Sequence, residues 1–186
     1  MSLELWNTIF AGATFVVIAA TAIAALVQLR HLRNSNELNA LLTLMEMWQE
    51  PGMQEHIKYT RTTLREKLQD PEYLSQYNKF GLSRVEHPEM LVADFWEQIG
   101  TFMKHQLFDE SAWLDIAAAQ AARSWADLEP IIRTMQAAGG PSAYENFEYL
   151  AVRATLWQAR HPLGAYPAGL PRMRELTRSN ATRNSR

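Results

Sequence analysis

Apolar and polar positions divide the chain into three stretches. From Leu5 to Leu29 no residue is charged. The 24 residues from Trp6 to Leu29, wound as an α-helix at about 1.5 Å per residue, span roughly 36 Å. A bilayer's hydrocarbon core is about 30 Å thick, so the run can cross it with some tilt. Thr8, Thr14 and Thr21 can return their hydroxyls to the helix backbone. Trp6 stands where an interfacial aromatic belongs. The pattern predicts one transmembrane helix. Two alternatives are a cleaved signal peptide, for which Ala22-Ile23-Ala24 mimics a cleavage site, and the core helix of a soluble protein; both usually have shorter apolar runs. Ala20/Ala24 and Thr21/Ala25 have the spacing that lets membrane helices approach closely. Alanine is also simply common in such helices, and no glycine pair strengthens the signal.

After Leu29 the pattern changes to the three-and-four spacing of amphipathic helices. Leu38, Leu41, Leu42, Met45 and Trp48 mark a stripe that continues the first helix to about Glu50, where Pro51-Gly52 ends it. Ile57, Leu64 and Leu68 predict a helix over about 53–68, stopped by Asp70-Pro71. Residues 71–87, with Tyr73, Leu74, Tyr77 and Phe80, read as a short helix and a loop. A helix starting near Pro88 and ending near Leu107 carries Leu91, Phe95, Ile99 and Phe102, flanked by Val92, Trp96 and Met103. Asp109 is a good N-cap for the next helix, which runs to about Ala138. Its expected buried face is Trp113, Ile116, Ala117, Ala121, Leu128, Ile131 and Met135. Pro130 should kink or break it. Gly139-Gly140 terminates it, and Ser142 with Glu145 predicts a capping box for a last helix bearing Phe147, Leu150, Ala154 and Trp157. The third stretch, 162–186, opens with prolines and glycines, continues with Arg, Ser, Asn and Thr, and lacks periodicity. It is expected to be disordered.

Charge adds orientation. Residues 34–161 carry 11 Lys/Arg against 18 Asp/Glu, whereas the tail holds Arg172, Arg174, Arg178, Arg183 and Arg186 against Glu175. An acidic body is a poor nucleic-acid binder, which needs a basic face. Arg30, His31 and Arg33 follow the apolar run directly, and only Glu4 is charged before it. Positive flanks stay inside. The N-terminus is therefore expected outside and the domain on the cytoplasmic face of the inner (plasma) membrane. The tail has two open fates: a solvated end, or a weak contact with anionic lipid at about 1 kcal/mol per arginine.

The search for chemistry returns little. The absence of cysteine excludes disulfides, thiolate zinc sites and a cysteine nucleophile. No two of His31, His56, His87, His105 and His161 lie three or four apart, so no metal site and no cofactor is expected. No phosphate-loop or nucleophile-elbow motif occurs. Asp94 and Glu97 share a helix face, with Ala93 and Gly100 one turn from Glu97. Small neighbours there predict a closely packed partner helix, and a buried acid would then need a partner, for which Arg123, Arg133 and Arg153 are candidates.

Four segments resemble a bacterial family of small membrane-anchored helical proteins catalogued as a domain of unknown function. They are Gln28-Leu29-Arg30-His31-Leu32-Arg33, Phe95-Trp96-Glu97-Gln98-Ile99-Gly100, Ser124-Trp125 through Leu128-Glu129-Pro130, and Tyr144-Glu145-Asn146-Phe147-Glu148-Tyr149-Leu150. The resemblance covers about 10–155. It implies the anchor-plus-helices architecture and no known activity.

The expectation is an all-α protein: a transmembrane anchor over 1–29, an irregular cytoplasmic helical bundle over 30–161, and a disordered basic tail over 162–186. Its expected role is a membrane-tethered, non-catalytic interaction or regulatory module, with the bilayer and a protein partner or second copy as partners. The alternative is a small-molecule or lipid sensor with a pocket formed by Trp96, Glu97, Trp125 and Glu129. Trp6, Arg30 and Arg33 are the membrane-flanking residues in either case.

Overall fold

The computed structural model describes residues 3–79 and 81–177, and every regular element among them is helical. The first helix, α1 (Leu3–Gln49), runs for 47 residues without a break. Its apolar part is long and apolar enough to cross a membrane, and none of it is buried by the rest of the chain. The core helix of a soluble protein is, by contrast, mostly buried. Thr14 and Thr21 return their hydroxyls to the carbonyls of Phe10 and Val17 at 2.8 Å each. Only the last turns of α1 enter the bundle. Leu44 is buried, and Leu41, Met45 and Trp48 pack beside it. Leu38 and Leu42, expected on the same stripe, face outward, because the buried row turns one position further round the helix.

Pro51 both ends α1 and opens α2 (Pro51–Arg61) at its first position, where its missing N–H is not needed. The helix expected over 53–68 is two helices, α2 and α3 (Thr63–Lys67), parted at Thr62. Thr62 turns its hydroxyl onto the Lys58 carbonyl at 2.8 Å. Asp70 then caps α4 (Pro71–Ser75) by accepting the Glu72 N–H at 2.9 Å, and one 3₁₀ turn, Gln76–Asn78, follows. Phe80 lies outside the described residues.

Three longer helices make the body: α5 (Glu89–Lys104), α6 (Glu110–Gly139) and α7 (Glu145–Arg160). Asp109 caps α6 by accepting the Ala112 N–H at 2.9 Å. Pro130 does not break it; the carbonyl it leaves free belongs to exposed Ala126, where water can replace the lost donor. The inner face of α6 is wider than expected: Ile116 is 48% exposed, whereas Leu114, Ala118, Ser124 and Ile132 are buried as well. Gly140 ends the helix at a φ of +100°, a conformation suited to glycine. α7 packs along both α5 and α6. The core lies where the three meet, around Met90, Trp96, Ile99, Leu128, Phe147 and Leu150. Between 162 and 177 the chain forms turns and a short helical stretch, 173–177. Arg178, Arg183 and Arg186 lie outside the described residues.

Candidate functional site

Two of the segments singled out in the sequence meet face to face. α5 passes so close to the start of α7 that a Cβ on Gly100 would lie 2.0 Å from the Asn146 carbonyl oxygen. One turn back, Glu97 reaches the same backbone. Its Oε2 accepts the Phe147 N–H at 2.7 Å, and its Oε1 accepts the Asn146 side-chain amide at 2.7 Å and the Asn146 N–H at 3.4 Å. Helix N-termini leave backbone donors unpaired and carry partial positive charge. Glu97 therefore caps α7 from a different helix. This corrects two expectations. The capping box of Ser142 and Glu145 does not form, since the residue before α7 is Tyr144, which gives it no side-chain cap. The partner of Glu97 is also not Arg123, Arg133 or Arg153, because backbone N–H groups satisfy it.

The same face of α5 grips α7 above and below. Asp94 accepts the Tyr144 hydroxyl at 2.6 Å and both Arg84 Nε and Nη2, at 2.8 and 3.1 Å. Tyr144 holds the left-handed conformation, φ +56°, which is unusual for a side chain of that size; its bond to Asp94 anchors it there. Burial and the bond to Asp94 push its phenol well above the ordinary value, so it remains a donor. Lys104 lies 3.2 Å from both Glu145 Oε1 and Asn146 Oδ1.

The four residues expected to share one pocket do not converge on one. Trp96 is fully buried and stacks on Phe147 at 6.3 Å between centroids, and Trp125 meets the same ring edge-on at 5.2 Å. Phe147 thus occupies the space between the two indoles. Trp125 is half-buried and is covered by the Arg133 guanidinium, 5.4 Å above its ring. Arg133 also pairs with Glu129 at 3.2 Å and Glu148 at 2.9 Å, and with Gln136 it holds the Glu148 carboxyl below the usual range. Glu129 thus belongs to a surface ion network. At the membrane-flanking end, Arg33 pairs with Glu37 at 2.8 Å and the Trp6 ring lies 6.0 Å from Phe10.

The other side of Trp96 is different. There a cavity of about 370 Å³ is lined by Met45, Trp48 and Gln49 from α1, Gln54 from α2, Trp96 from α5, and Trp113, Ile116, Ala117 and Gln120 from α6. Trp48 lies 4.8 Å from Trp96 between centroids. The indole N–H groups of Trp96 and Trp113 are both buried with no acceptor among the described residues. A buried donor without an acceptor costs about 1–3 kcal/mol. Sequence reasoning placed Trp48, Trp96 and Trp113 on buried faces but did not bring them together.

It also missed a polar cluster at the entrance to α5. The Tyr77 hydroxyl donates to Glu89, and His87 Nδ1 lies 3.0 Å from both Glu89 Oε1 and the Tyr77 hydroxyl. All three are buried, and Glu89 is fully so. Burial, then the Glu89 carboxylate, push the Tyr77 phenol far above its ordinary value. His87-Pro88-Glu89 was the available signal, with Pro88 read only as a helix start. The cluster pins the 71–88 segment to the body.

A single long apolar helix feeding a bundle whose signature residues fasten α5 to α7 defines the class: an all-α protein with an N-terminal helix of membrane-spanning length. The chain belongs to the family described as Domain of unknown function (DUF4760), whose model matches residues 15–154, about three quarters of its length. No curated protein and no solved structure gives a significant match.

Proposed function

We propose that this chain is a single-pass, membrane-tethered, non-catalytic interaction or regulatory module, with its bundle on the cytoplasmic face of the plasma membrane. The observation that carries the reading is the continuity of α1. One helix joins a wholly exposed apolar run to side chains that enter the core, Leu44 among them. Exposed apolar surface of that length is costly in water and favourable in hydrocarbon. Cleavage after Ala24 would cut α1 in mid-helix, which favours an anchor over a signal peptide. Arg30 and Arg33 after the run, against Glu4 before it, favour the cytoplasmic side. The non-catalytic part is supported by where the acids are spent: Glu97 on the α7 backbone, Glu129 on Arg133.

The test is proximity labelling from native membranes, with a biotin ligase fused after Arg186 and a parallel chain lacking residues 3–29. The expected result is that the full chain stays in the membrane pellet through an alkaline wash. It marks a reproducible set of neighbours that the shortened chain loses. A full chain released by the wash, or neighbours unchanged by the deletion, contradicts the reading.

A further inference from the structure

We infer that residues 163–176 form a second contact with the bilayer, an arm that lies on the anionic headgroup surface of the same membrane that α1 is proposed to cross. The inference rests on that reading of α1 and adds a second attachment to it.

The position of α7 decides where the arm begins. Trp48, near the end of α1, lies against Trp96, and Trp96 stacks on Phe147 in the first turn of α7. At the other end of α7, Trp157 and Arg160 line one cleft of about 440 Å³ with Arg33 and Glu37 of α1. α7 thus points back toward the apolar run and ends beside Arg33. Arg33 is four residues past Leu29, about 6 Å along a helix axis. The headgroup layer outside the hydrocarbon is itself about 5–8 Å deep. The chain therefore leaves the bundle at the membrane surface.

The arm has a shape of its own but buries none of its side chains. Arg172 donates to the Leu163 carbonyl at 2.7 Å and lies 4.7 Å above the Tyr166 ring, and the Tyr166 hydroxyl donates to the Pro171 carbonyl at 3.2 Å. These contacts close a loop over 163–172, and the helical stretch 173–177 follows. Leu163, Tyr166, Leu170, Met173 and Leu176 all stay exposed, Leu163 at 81% and Met173 at 75%. Apolar side chains scattered singly need no explanation, whereas a cluster of them marks a contact site. Met173 and Leu176, three apart, share one side of the helical stretch.

Charge selects the occupant. Arg30 and Arg33 flank the apolar run, Arg160 ends α7, and Arg174 lies on the arm. The sequence beyond adds Arg178, Arg183 and Arg186, and Glu175 is the one acid after residue 162. The acids of the cleft are already held: Glu37 by Arg33, Glu110 by Arg153, and Asp109 by the α6 backbone. An apolar groove on a protein would take the leucines and leave the arginines without partners. An anionic headgroup layer takes both, with apolar side chains at the acyl boundary and guanidinium groups among the phosphates. With two attachments the bundle keeps one end toward the bilayer.

The test uses the full chain, which has no native cysteine, with one fluorescent label at Met173→Cys. Labels at Ile18→Cys and Leu38→Cys are the references for hydrocarbon and water. The protein is placed singly in nanodiscs of phosphatidylcholine, with or without phosphatidylglycerol, and quenching is read with a nitroxide lipid and with aqueous iodide. The expected result is that phosphatidylglycerol brings the label at 173 within reach of the nitroxide lipid and shields it from iodide, and that high salt reverses this. Arg174→Glu should lower the ratio of bound to free arm about tenfold or more. Leu170→Ser with Leu176→Ser should release the arm, an unchanged melting curve by tryptophan fluorescence showing that the bundle is intact. Iodide quenching at 173 equal to that at 38 in anionic discs overturns the arm and leaves the span, read at 18, in place. Shielding from both quenchers would put the arm on protein and also overturns it. Iodide quenching at 18 overturns the span and the arm with it.

Discussion

Gly100 and Glu97 lie three residues apart on α5 and meet the same stretch of α7 backbone, one by being small and the other by being acidic. The Cβ of alanine at position 100 would sit 2.0 Å from the Asn146 carbonyl oxygen, so α7 must move for it to fit. Overpacking of this kind costs about 1–3 kcal/mol, sometimes more. Glu97→Ala removes a helix cap, worth about 0.5–2 kcal/mol. Both variants should melt below the wild type in micelles when followed by tryptophan fluorescence, with Gly100→Ala the lower; a Gly100→Ala chain that melts with the wild type would show that the close approach is not there. Asp127 gives the pH dependence. Burial pushes its carboxyl up, against the pull of Arg65, Arg61 and Arg123. A folded-state value above the unfolded one means that the ionised form costs stability at neutral pH. The cost fades once pH falls below the unfolded value, about 4. Asp127→Asn should therefore raise Tm at pH 7 and leave it unchanged near pH 3. A lower Tm at pH 7 would mean that the arginines outweigh burial.

Among the helices, α7 is held by α5 through backbone capping and by α6 through the ring of Phe147, so the tryptophans on either side of that ring should differ. Trp96 is fully buried, and Trp96→Ala should cost about 3–5 kcal/mol, a large part of a domain's roughly 5–15 kcal/mol. Trp125 keeps one side toward solvent and Arg133, and Trp125→Ala should cost clearly less. Equal losses, measured by chemical unfolding of the full chain, would place both rings in the core. How far these elements were legible depends on the range of the interaction behind each. Asp70, Asp109 and Gly140 act on their own neighbours in sequence, and the helix ends they mark stand as expected. The length of α1 was readable for the same reason. The cap of α7 was not, since its acceptor lies on another helix, 49 positions before Asn146. The loss of Ile116 and the burial of Leu114, Ala118, Ser124 and Ile132 reflect an α6 that packs against several neighbours, so no single stripe describes it. Tyr77, His87 and Glu89 look solvated in a mixed polar segment until the fold closes over them. Of the candidate site, Trp96 and Glu97 were expected to line a pocket; Trp96 stacks on Phe147 and Glu97 caps the α7 backbone. Their partners, and the cavity that Trp48 and Trp113 both line, belong to tertiary structure.

For the molecule as a whole, the central claim is that one uninterrupted helix carries the chain out of the membrane and into the bundle, on the cytoplasmic side. The chain has no cysteine, so single cysteines can be introduced without background. Ile18→Cys and Ile23→Cys lie in the apolar run, Leu38→Cys and Leu42→Cys on the outward face of α1 beyond it, and Leu44→Cys in the core. Labelling with a membrane-impermeant maleimide, in intact cells and in inside-out vesicles, reads their surroundings directly. The account predicts that positions 18 and 23 resist the reagent from both sides, because hydrocarbon excludes it and keeps the thiol protonated. Positions 38 and 42 should react only in inside-out vesicles, and position 44 only after unfolding. Reaction at 18 or 23 in folded protein, or at 38 and 42 in intact cells, would contradict the span or its orientation.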